Sequence, residues 1–184
     1  MTDEASDFDL VHKFVEGDES SFNRIVIRYQ QKIYWHARRM TGNHLDADEI
    51  VQEVLMVLYE KLKDFKFQSS LYTWIYRITT TRSINYLRRR NLRHVFSFED
   101  KGGRLIKSKE DIVSNIESKE KLEKLEFVLK KIPPKQREVF ILRNFEDLSY
   151  EEISEITGKS VGGLKANYFH AFKKIMELMK ENET

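Results

Sequence analysis

Basic and aromatic side chains alternate along residues 61–94, a combination that suits binding of unpaired nucleic acid. Cationic side chains attract phosphates whatever the base sequence, and aromatic faces provide surfaces on which unpaired bases stack. The structural alternative is that the aromatics belong to a core and that the arginine run Arg88-Arg89-Arg90 is a solvated helix end. The stretch has nine Lys or Arg, at 61, 63, 66, 77, 82, 88, 89, 90 and 93, against the single Asp64, and its aromatics include Phe65, Phe67, Tyr72, Trp74, Tyr76 and Tyr86.

A second pattern that could bind DNA lies near the C-terminus. Ser149 and Glu152 have the spacing of a capping box, Gly158 ends the short helix that follows, and Ser160 can cap a longer one. A short helix, a glycine-bearing turn and a longer helix form a helix-turn-helix, whose second helix fits the major groove of DNA. An ordinary helical hairpin in a bundle would give the same pattern, so DNA binding is favoured but not fixed by this motif alone.

The sequence lacks the residue patterns of a metal-dependent or nucleotide-processing enzyme. There is no cysteine, which excludes disulfides and cysteine-ligated zinc. The glycine pairs at 102–103 and 162–163 lack the strand-then-helix setting and the lysine of a phosphate-binding loop. We therefore expect no enzymatic activity, no metal and no cofactor. The histidines, which show no metal-ligand spacing, are His12, His36, His44, His94 and His170.

Charge is segregated along the 184 residues, although the net charge is only +2. Residues 1–20 carry seven acids against the single Lys13, whereas the 61–94 stretch is strongly basic. Such a basic block indicates a polyanionic partner. No apolar run approaches the roughly 20 residues that span a bilayer, and the acidic N-terminus does not resemble a signal peptide. We expect a cytoplasmic protein without a membrane partner.

The apolar periodicity is helical and predicts an all-α protein. Helices are expected at about 7–16, 19–40, 46–64, 69–90 and 134–145, followed by the helix-turn-helix. Gly42 should end the second helix, and Asp46 and Glu49 should cap the third as N-cap and N3 residues. Residues 95–118 lose the periodicity and contain glycines. The prediction is two small helical domains, 1–94 and 119–184, joined by a flexible linker at 95–118.

Two segments resemble conserved regions of one protein family. Asp46-Ala47-Asp48-Glu49-Ile50-Val51-Gln52-Glu53-Val54, followed by Ser70-Leu71-Tyr72-Thr73-Trp74-Ile75-Tyr76-Arg77-Ile78, resembles region 2 of the extracytoplasmic-function (ECF) sigma factors. Ile132-Pro133-Pro134-Lys135-Gln136-Arg137-Glu138-Val139-Phe140, then Leu148-Ser149-Tyr150-Glu151-Glu152-Ile153, resembles region 4. The order and separation of the two segments also match. The resemblance covers all of the chain except the termini and the linker.

The resemblance implies a sigma factor, which binds core RNA polymerase, directs it to promoters and opens them. The alternative is a helix-turn-helix regulator that binds duplex DNA without polymerase. The implied contacts with the clamp of the largest polymerase subunit are Asp48, Glu49, Gln52 and Glu53. Those implied for capture of the −10 element are Lys66, Phe67, Ser69, Tyr72, Thr73, Trp74, Arg77, Arg82, Asn85, Arg88 and Arg89. Those implied for the −35 element are Ser160, Gly162, Lys165, Asn167, His170, Lys173 and Lys174.

Further partners follow from the same resemblance. Region 4 is expected to contact the flap of the second-largest polymerase subunit, and the linker to run towards the RNA exit channel. An anti-sigma protein that clamps both domains is also expected. The acids of residues 1–20 have two readings, a solubilising tail or an element that competes with DNA for the 61–94 block.

The recognition helix departs from the family pattern, because Asn167, His170 and Phe172 stand where basic residues are common. Either Tyr168 and Phe172 pack on the rest of region 4 while the helix reads a different −35 sequence, or −35 binding is weak and another recruiting protein docks there. Thr81 also departs from the pattern, since asparagine is common at that position.

Overall fold

The structure of the protein is a computed structural model that describes residues 5–96 and 124–181, and all regular structure in these two ranges is helical. The predicted all-α class is confirmed. From residue 97 onwards, the predicted linker lies outside the described residues. The first range contains α1 (Asp7–Val15), α2 (Glu19–Thr41), α3 (His44–Lys61), a 3₁₀ turn (Leu62–Asp64) and α4 (Leu71–Phe96). The second contains α5 (124–130), α6 (Pro134–Asn144), α7 (Tyr150–Thr157) and α8 (Val161–Glu181).

The boundaries of α2 and α3 follow from local capping. Gly42 ends α2 with φ of 71°, in the left-handed region that favours glycine, as predicted. The prediction of Asp46 as the cap of α3 is wrong: the helix begins at His44, and the side chain of Asn43 accepts from the Asp46 backbone N–H at 3.2 Å. The Asp46 carboxylate binds α4 instead, where it accepts hydrogen bonds from the Tyr86 hydroxyl at 2.8 Å and from Arg90 at 2.7 Å.

A buried apolar core joins the helices of the first range. Each of α2 and α3 buries residues three or four apart on one face, which is the spacing of an amphipathic helix. Ser70 caps α4 by accepting from the Thr73 backbone N–H at 3.0 Å, and this fixes where the loop at 65–70 meets the helix. The core residues are Leu10, Phe14, Ile25, Tyr29, Ile33, Ala37, Ile50, Val54, Leu58, Leu71 and Ile75.

The second range contains the predicted helix-turn-helix. Ser149 and Glu152 form a reciprocal capping box at the start of α7, and Gly158 ends that helix with φ of 69°. Ser160 Oγ then accepts from the Gly163 backbone N–H at 3.3 Å at the start of α8. Val139, Leu142, Leu148, Ile153, Ile156 and Leu164 hold α6, α7 and α8 together.

The two helical units pack directly on each other. Tyr76 of α4 is only 1% exposed because it lies among apolar residues of α6, α7 and α8. Met40 of α2, Leu87 of α4 and Ile141 of α6 form a second shared cluster. The buried Arg137 of α6 donates to the backbone carbonyl of Met40, and thereby also caps the C-terminal end of α2. In this structure α4, the helix of the basic and aromatic stretch, therefore lies against the helix-turn-helix.

Candidate nucleic-acid interface

A cavity of about 430 Å³ lies where the loop at 65–70 meets α4. Its walls combine the cations Lys61, Lys66 and Arg77 with the flat faces of Phe65 and Trp74. Cations and aromatic rings in one concave site can hold a phosphate together with a stacked base. The other lining residues are Val57, Asp64, Gln68, Ser69 and Ile78.

A row of aromatic rings leads out of this cavity along the loop. The ring of Phe65 lies 4.9 Å from that of Trp74 and 4.8 Å from that of Phe67, between centroids. Phe67 is 41% exposed and has φ of 53°, an uncommon backbone conformation for a bulky residue. The loop therefore presents Phe67 outwards while Phe65 and Trp74 form the cavity wall.

Other residues implied for −10 binding lie elsewhere on α4. Thr73 is 7% exposed and shares a hydrogen bond with Ser70 at 2.9 Å, so its side chain is part of the helix start rather than of the outer surface. Tyr72 is partly buried against Tyr76, with ring centroids 4.4 Å apart. Burial raises the pKa of Tyr72 to about 12. Lys66, Ser69, Trp74 and Arg77 are thus brought together at the cavity, and Thr73 and Tyr72 are not.

The basic residues further along α4 divide into paired and exposed ones. Arg82 and Arg89 both form ion pairs with Glu53 of α3, at 3.5 Å and 3.1 Å. Asn85 and Arg88 are exposed. Two of the arginines implied for DNA binding are therefore partly neutralised by one carboxylate.

The acidic residues of α3 do not form one outward surface. Glu53 turns towards α4, and Asp48 lies 3.3 Å from His44 Nε2 within the helix. Glu49 and Gln52 are exposed, and their side chains form no hydrogen bond or ion pair with other residues in the described ranges. Of the four residues implied for polymerase binding, Glu49 and Gln52 are therefore the most accessible to a partner.

Polar contacts across the interface between the two units involve α4 directly. Arg77 donates to the backbone carbonyl of Glu155 in α7 at 2.7 Å. The Tyr76 hydroxyl donates to the Glu146 carboxylate, which also lies 3.7 Å from Arg39 Nη1. Burial, and then the negative charge of Glu146, raise the pKa of the Tyr76 hydroxyl far above its ordinary value, so this group stays protonated.

Helix α8, the predicted recognition helix, presents a mixed surface. Lys165, His170, Lys173 and Lys174 are exposed, as are Ser160 and Gly162 at the start of the motif. Asn167 donates to the Gly163 carbonyl of its own helix at 2.9 Å.

The expectation that Tyr168 and Phe172 pack on the rest of the domain is confirmed only for Tyr168. Its ring lies 6.0 Å from that of Phe140, whereas Phe172 is 47% exposed and Phe169 is 63% exposed. Sequence reasoning did not identify Phe169 as an outward residue of α8.

The described N-terminal acids contact their own helices or α2 and α3, not the 61–94 block. Asp7 accepts from Arg28 and from the Tyr29 hydroxyl, and Glu19 accepts from Tyr59 at 3.1 Å. These contacts bind α1 and the start of α2 to the core. The contacts of residues 5–20 therefore do not support the interpretation that the N-terminal acids compete with DNA for the 61–94 block.

Several cavity residues were not identified as site residues from the sequence. Lys61, Phe65, Gln68 and Ile78 lie within or beside the basic and aromatic stretch, but only the turn of the chain at 62–70 brings them to one wall. The composition of the stretch therefore indicated the part of the chain that lines the cavity, but it did not select the individual residues.

Within the described ranges, no helix is long and apolar enough to cross a membrane. The same ranges contain no cluster of three or more His, Cys, Asp or Glu that could hold a metal ion.

Comparison with known proteins identifies both units. Residues 25–93 match Sigma-70 region 2, and residues 122–175 match Sigma-70 region 4. The ECF RNA polymerase sigma-E factor of Escherichia coli (strain K12) is 32% identical over 182 residues, which is 93% of each chain. The chain belongs to the ECF group of the sigma-70 family. A further ECF sigma-E factor, from Haemophilus influenzae, is 31% identical over 180 residues, 93% of this chain and 94% of the relative.

Solved structures of similar fold also cover both units of this ECF sigma factor. CnrH, in complex with the cytosolic domain of CnrY, has a TM-score of 0.67 at 20% identity and covers 94% of this chain and 96% of its own. The sigma factor RpoE of Bartonella quintana, in complex with the anti-sigma factor NepR, has a TM-score of 0.67 at 21% identity and covers 86% and 96%. The sequence-based prediction of family and function is confirmed: the protein is a sigma factor of transcription initiation, not a polymerase-independent regulator.

Proposed function

We propose that the two units of this sigma factor divide promoter recognition between them. Residues 1–94 bind core RNA polymerase and capture the unpaired −10 strand, residues 119–184 read the −35 duplex, and residues 95–118 connect them. The observation that carries the proposal is the cavity at the start of α4, whose lining combines cations and aromatic faces.

Capture of an unpaired base requires a stacking surface, hydrogen-bonding groups and nearby cations. Phe65 and Trp74 supply the stacking surface, while Gln68 and Ser69 supply hydrogen-bonding groups within the same cavity. Removing a base from the duplex costs a few kcal/mol, and stacking and hydrogen bonds in a fitted pocket offset part of it. The cavity therefore suits a single flipped base of the non-template strand.

The backbone of the captured strand needs a basic path, and α4 provides one. Lys61, Lys66 and Arg77 surround the cavity, and Arg88 is exposed further along the helix. Release of counterions from phosphates contacted by such residues makes the affinity fall steeply with salt. Arg82 and Arg89 join this path only when they exchange Glu53 for phosphate.

Core polymerase binding is proposed for the outer face of α3. Glu49 and Gln52 are exposed, and Asp48 adds a partly exposed carboxylate one position before Glu49. Acidic and amide groups on one helix face complement a basic surface on the polymerase clamp. Glu53 contributes less, because it is already paired within the sigma factor.

The −35 element is proposed to bind α8 in the major groove. Lys165 and His170 are exposed on the helix, and Lys173 and Lys174 extend a cationic edge towards its C-terminal end. These residues are fewer than the family pattern provides, so base contacts and the exposed Phe169 carry more of the recognition. The C-terminal unit is also the proposed contact with the flap of the second-largest polymerase subunit.

Promoter binding requires the two units to separate. The positions −35 and −10 are about 25 base pairs apart, which is roughly 85 Å of duplex at ~3.4 Å per base pair. The structure instead holds Arg77 of the proposed −10 site within hydrogen-bonding distance of α7, the first helix of the −35 motif. Both elements therefore cannot be bound while the interface is closed, and binding to core polymerase is proposed to open it.

The remaining proposals concern regulation and the kind of activity. An anti-sigma protein is proposed as a partner, since the sigma factor RpoE of Bartonella quintana, which has a similar fold, is in complex with the anti-sigma factor NepR. The sigma factor carries no catalytic group of its own, and polymerase performs the chemistry. Its proposed place of action is the cytoplasm, where polymerase and promoters are found.

The experiment that tests the −10 proposal compares two tryptophans by the same substitution. Trp74→Ala removes a wall of the cavity, while Trp35→Ala removes an exposed tryptophan of α2 outside it. With core polymerase and a promoter that the wild-type holoenzyme opens, we expect Trp74→Ala alone to reduce permanganate reactivity of the −10 thymines. The expected reduction is about 10-fold, because loss of one base-stacking contact weakens binding by about 1–3 kcal/mol. Equal reactivity of the two variants would remove the cavity from the mechanism.

A further inference from the structure

The N-terminal helix extends the row of aromatic rings that begins at the cavity. Phe8 of α1 lies 4.8 Å from Phe67, between ring centroids, and Phe67 lies 4.8 Å from Phe65. Phe65 in turn lies 4.9 Å from Trp74 on the cavity wall. Four rings therefore connect the first helix of the chain to the proposed base-capture site.

Phe67 needs support from its side chain, because its backbone has φ of 53°. A bulky L-residue in the left-handed region is disfavoured by contacts between Cβ and the backbone, and such a conformation persists only where the surroundings hold it. The Phe67 ring lies between those of Phe8 and Phe65. The first of these rings comes from outside the loop, so α1 can hold the loop in this conformation.

Phe8 does not belong to the buried face of α1. That face consists of Leu10, Val11 and Phe14, whereas Phe8 is 53% exposed. The neighbouring Asp7 is bonded to Arg28 and Tyr29 of α2, which fixes the start of α1 against the core. Phe8 is thus an exposed aromatic residue on a fixed base, and its ring contacts His12 of its own helix, at 5.0 Å between centroids, and Phe67 of the loop, at 4.8 Å.

We propose that Phe8 is a positioning residue for −10 strand capture: by packing its ring against that of Phe67 it holds the 65–70 loop in the conformation that leaves the cavity open. This inference rests on the proposed role of the cavity. It assigns α1 a part in promoter opening that lies outside the residues matched to Sigma-70 region 2, which begin at residue 25.

The test uses Phe8→Ala with Val15→Ala as its matched control. Val15 is an apolar residue on the same helix and is 48% exposed. The first readout is amide hydrogen exchange of residues 65–70 in the free protein, which needs no DNA. We expect faster exchange in Phe8→Ala than in Val15→Ala, with unchanged exchange in α2 and α3, and we expect Phe8→Tyr to restore the wild-type rate.

The second readout is affinity of the holoenzyme for a single strand. The probe is the labelled non-template strand across the −10 region of a promoter that the wild-type holoenzyme selects from a random duplex pool. We expect Phe8→Ala to weaken binding about fivefold, the ratio expected for the loss of one aromatic pair. Phe67→Gly accepts the left-handed conformation without support, so adding Phe8→Ala to Phe67→Gly should have little further effect.

The outcomes separate this inference from the function on which it rests. Unchanged exchange in the loop of Phe8→Ala, or faster exchange with unchanged strand affinity, would overturn the positioning role while Trp74→Ala still impaired capture. If the wild-type holoenzyme itself fails to bind the strand, or Trp74→Ala has no effect, the proposed role of the cavity fails, and the positioning role fails with it. Additive effects of Phe8→Ala and Phe67→Gly would also contradict the inference.

Discussion

Arg77 of α4 donates from Nη2 to the backbone carbonyl of Glu155 in α7, at 2.7 Å. This contact joins the cavity proposed for the −10 strand to the helix-turn-helix proposed for the −35 duplex. Tyr76, the preceding residue, is buried in the same interface. The structure is therefore a closed form of the sigma factor, in which Arg77 of the proposed −10 surface contacts the other unit.

Glu146→Lys should open the closed form. The Glu146 carboxylate accepts a hydrogen bond from the Tyr76 hydroxyl and lies beside Arg39. The substitution therefore removes a partly buried hydrogen bond and places the new lysine beside the Arg39 cation. Breaking a buried charged contact costs about 3–5 kcal/mol. We expect a larger radius of gyration by solution scattering and tighter DNA binding by the isolated protein. Glu177→Lys on α8 makes the same charge change at an exposed site away from this contact and should leave both measurements unchanged.

Glu53→Gln should strengthen DNA binding by releasing two arginines. Arg82 and Arg89 both pair with Glu53, and exposed ion pairs of this kind are worth ~0.2–1 kcal/mol each. We expect the affinity for single-stranded DNA to rise about two- to threefold, with a steeper dependence on salt. The measurement is fluorescence anisotropy across a salt series. Glu60→Gln, at an exposed position of the same helix, is the control, and an equal gain in both variants would mean that only net charge matters.

His36 should make the stability of the protein fall in mild acid. It is fully buried, its Nε2 atom lies 3.1 Å from Thr80 Oγ1, and its ring lies against Tyr76. Burial, and then the positive charge of Arg39, lower its pKa to about 3. The unfolded chain, with the ordinary histidine pKa of about 6.5, binds more protons between these values, so the free energy of unfolding decreases as pH falls through this window.

The decrease amounts to ~1.4 kcal/mol per pH unit at most, or about 1.7 kcal/mol between about pH 6.5 and about pH 5. Urea unfolding of His36→Gln should show a flatter pH profile over this range. His170→Gln, which changes an exposed histidine, should keep the wild-type profile. A wild-type slope in His36→Gln would show that other groups cause the acid sensitivity.

The two capping boxes allow a matched test of which helix start matters for −35 binding. Ser149→Ala and Ser6→Ala remove the same hydroxyl from the starts of α7 and α1. Each substitution should cost about 1 kcal/mol of stability. Only Ser149→Ala should also weaken binding of the isolated protein to a −35 duplex, since α7 supports the recognition helix. Equal effects on duplex binding would argue against α8 as the reading element.

The sequence was sufficient to predict the helices, because the residues that begin and end a helix act locally. Gly42, Gly158 and the Ser149 capping box act within a few residues, and the structure places helix ends at each of them. The start of α3 was misplaced by two residues. Asn43 and Asp46 are both good caps, and only the contacts of Asp46 with Tyr86 and Arg90, 40 and 44 residues away, decide between them.

The arrangement of the site was less predictable, because it depends on contacts between residues that are far apart in the sequence. Glu53 belongs by spacing to the outward face of α3, yet it turns to Arg82 and Arg89 on the next helix. The burial of Tyr76 and the packing of Phe8 against Phe67 depend on contacts between distant segments. A single sequence carries no periodic signal for such pairs, so composition predicted a binding region while the individual contacts required the structure.

Binding to core RNA polymerase tests the central claim most directly. The measurement is co-purification of core polymerase with the wild-type protein and with the double variant Glu49→Lys, Gln52→Lys. Both positions are exposed and neither side chain is bonded to other described residues, so the variant should fold normally. Glu16→Lys at the end of α1 controls for added positive charge. We predict stoichiometric binding by the wild type and the control. The affinity of the double variant for core polymerase should be at least tenfold lower, equivalent to ~1.4 kcal/mol. A wild-type protein that fails to bind core polymerase, or a double variant that binds as tightly, would contradict the assignment of α3 as the polymerase-binding surface of this sigma factor.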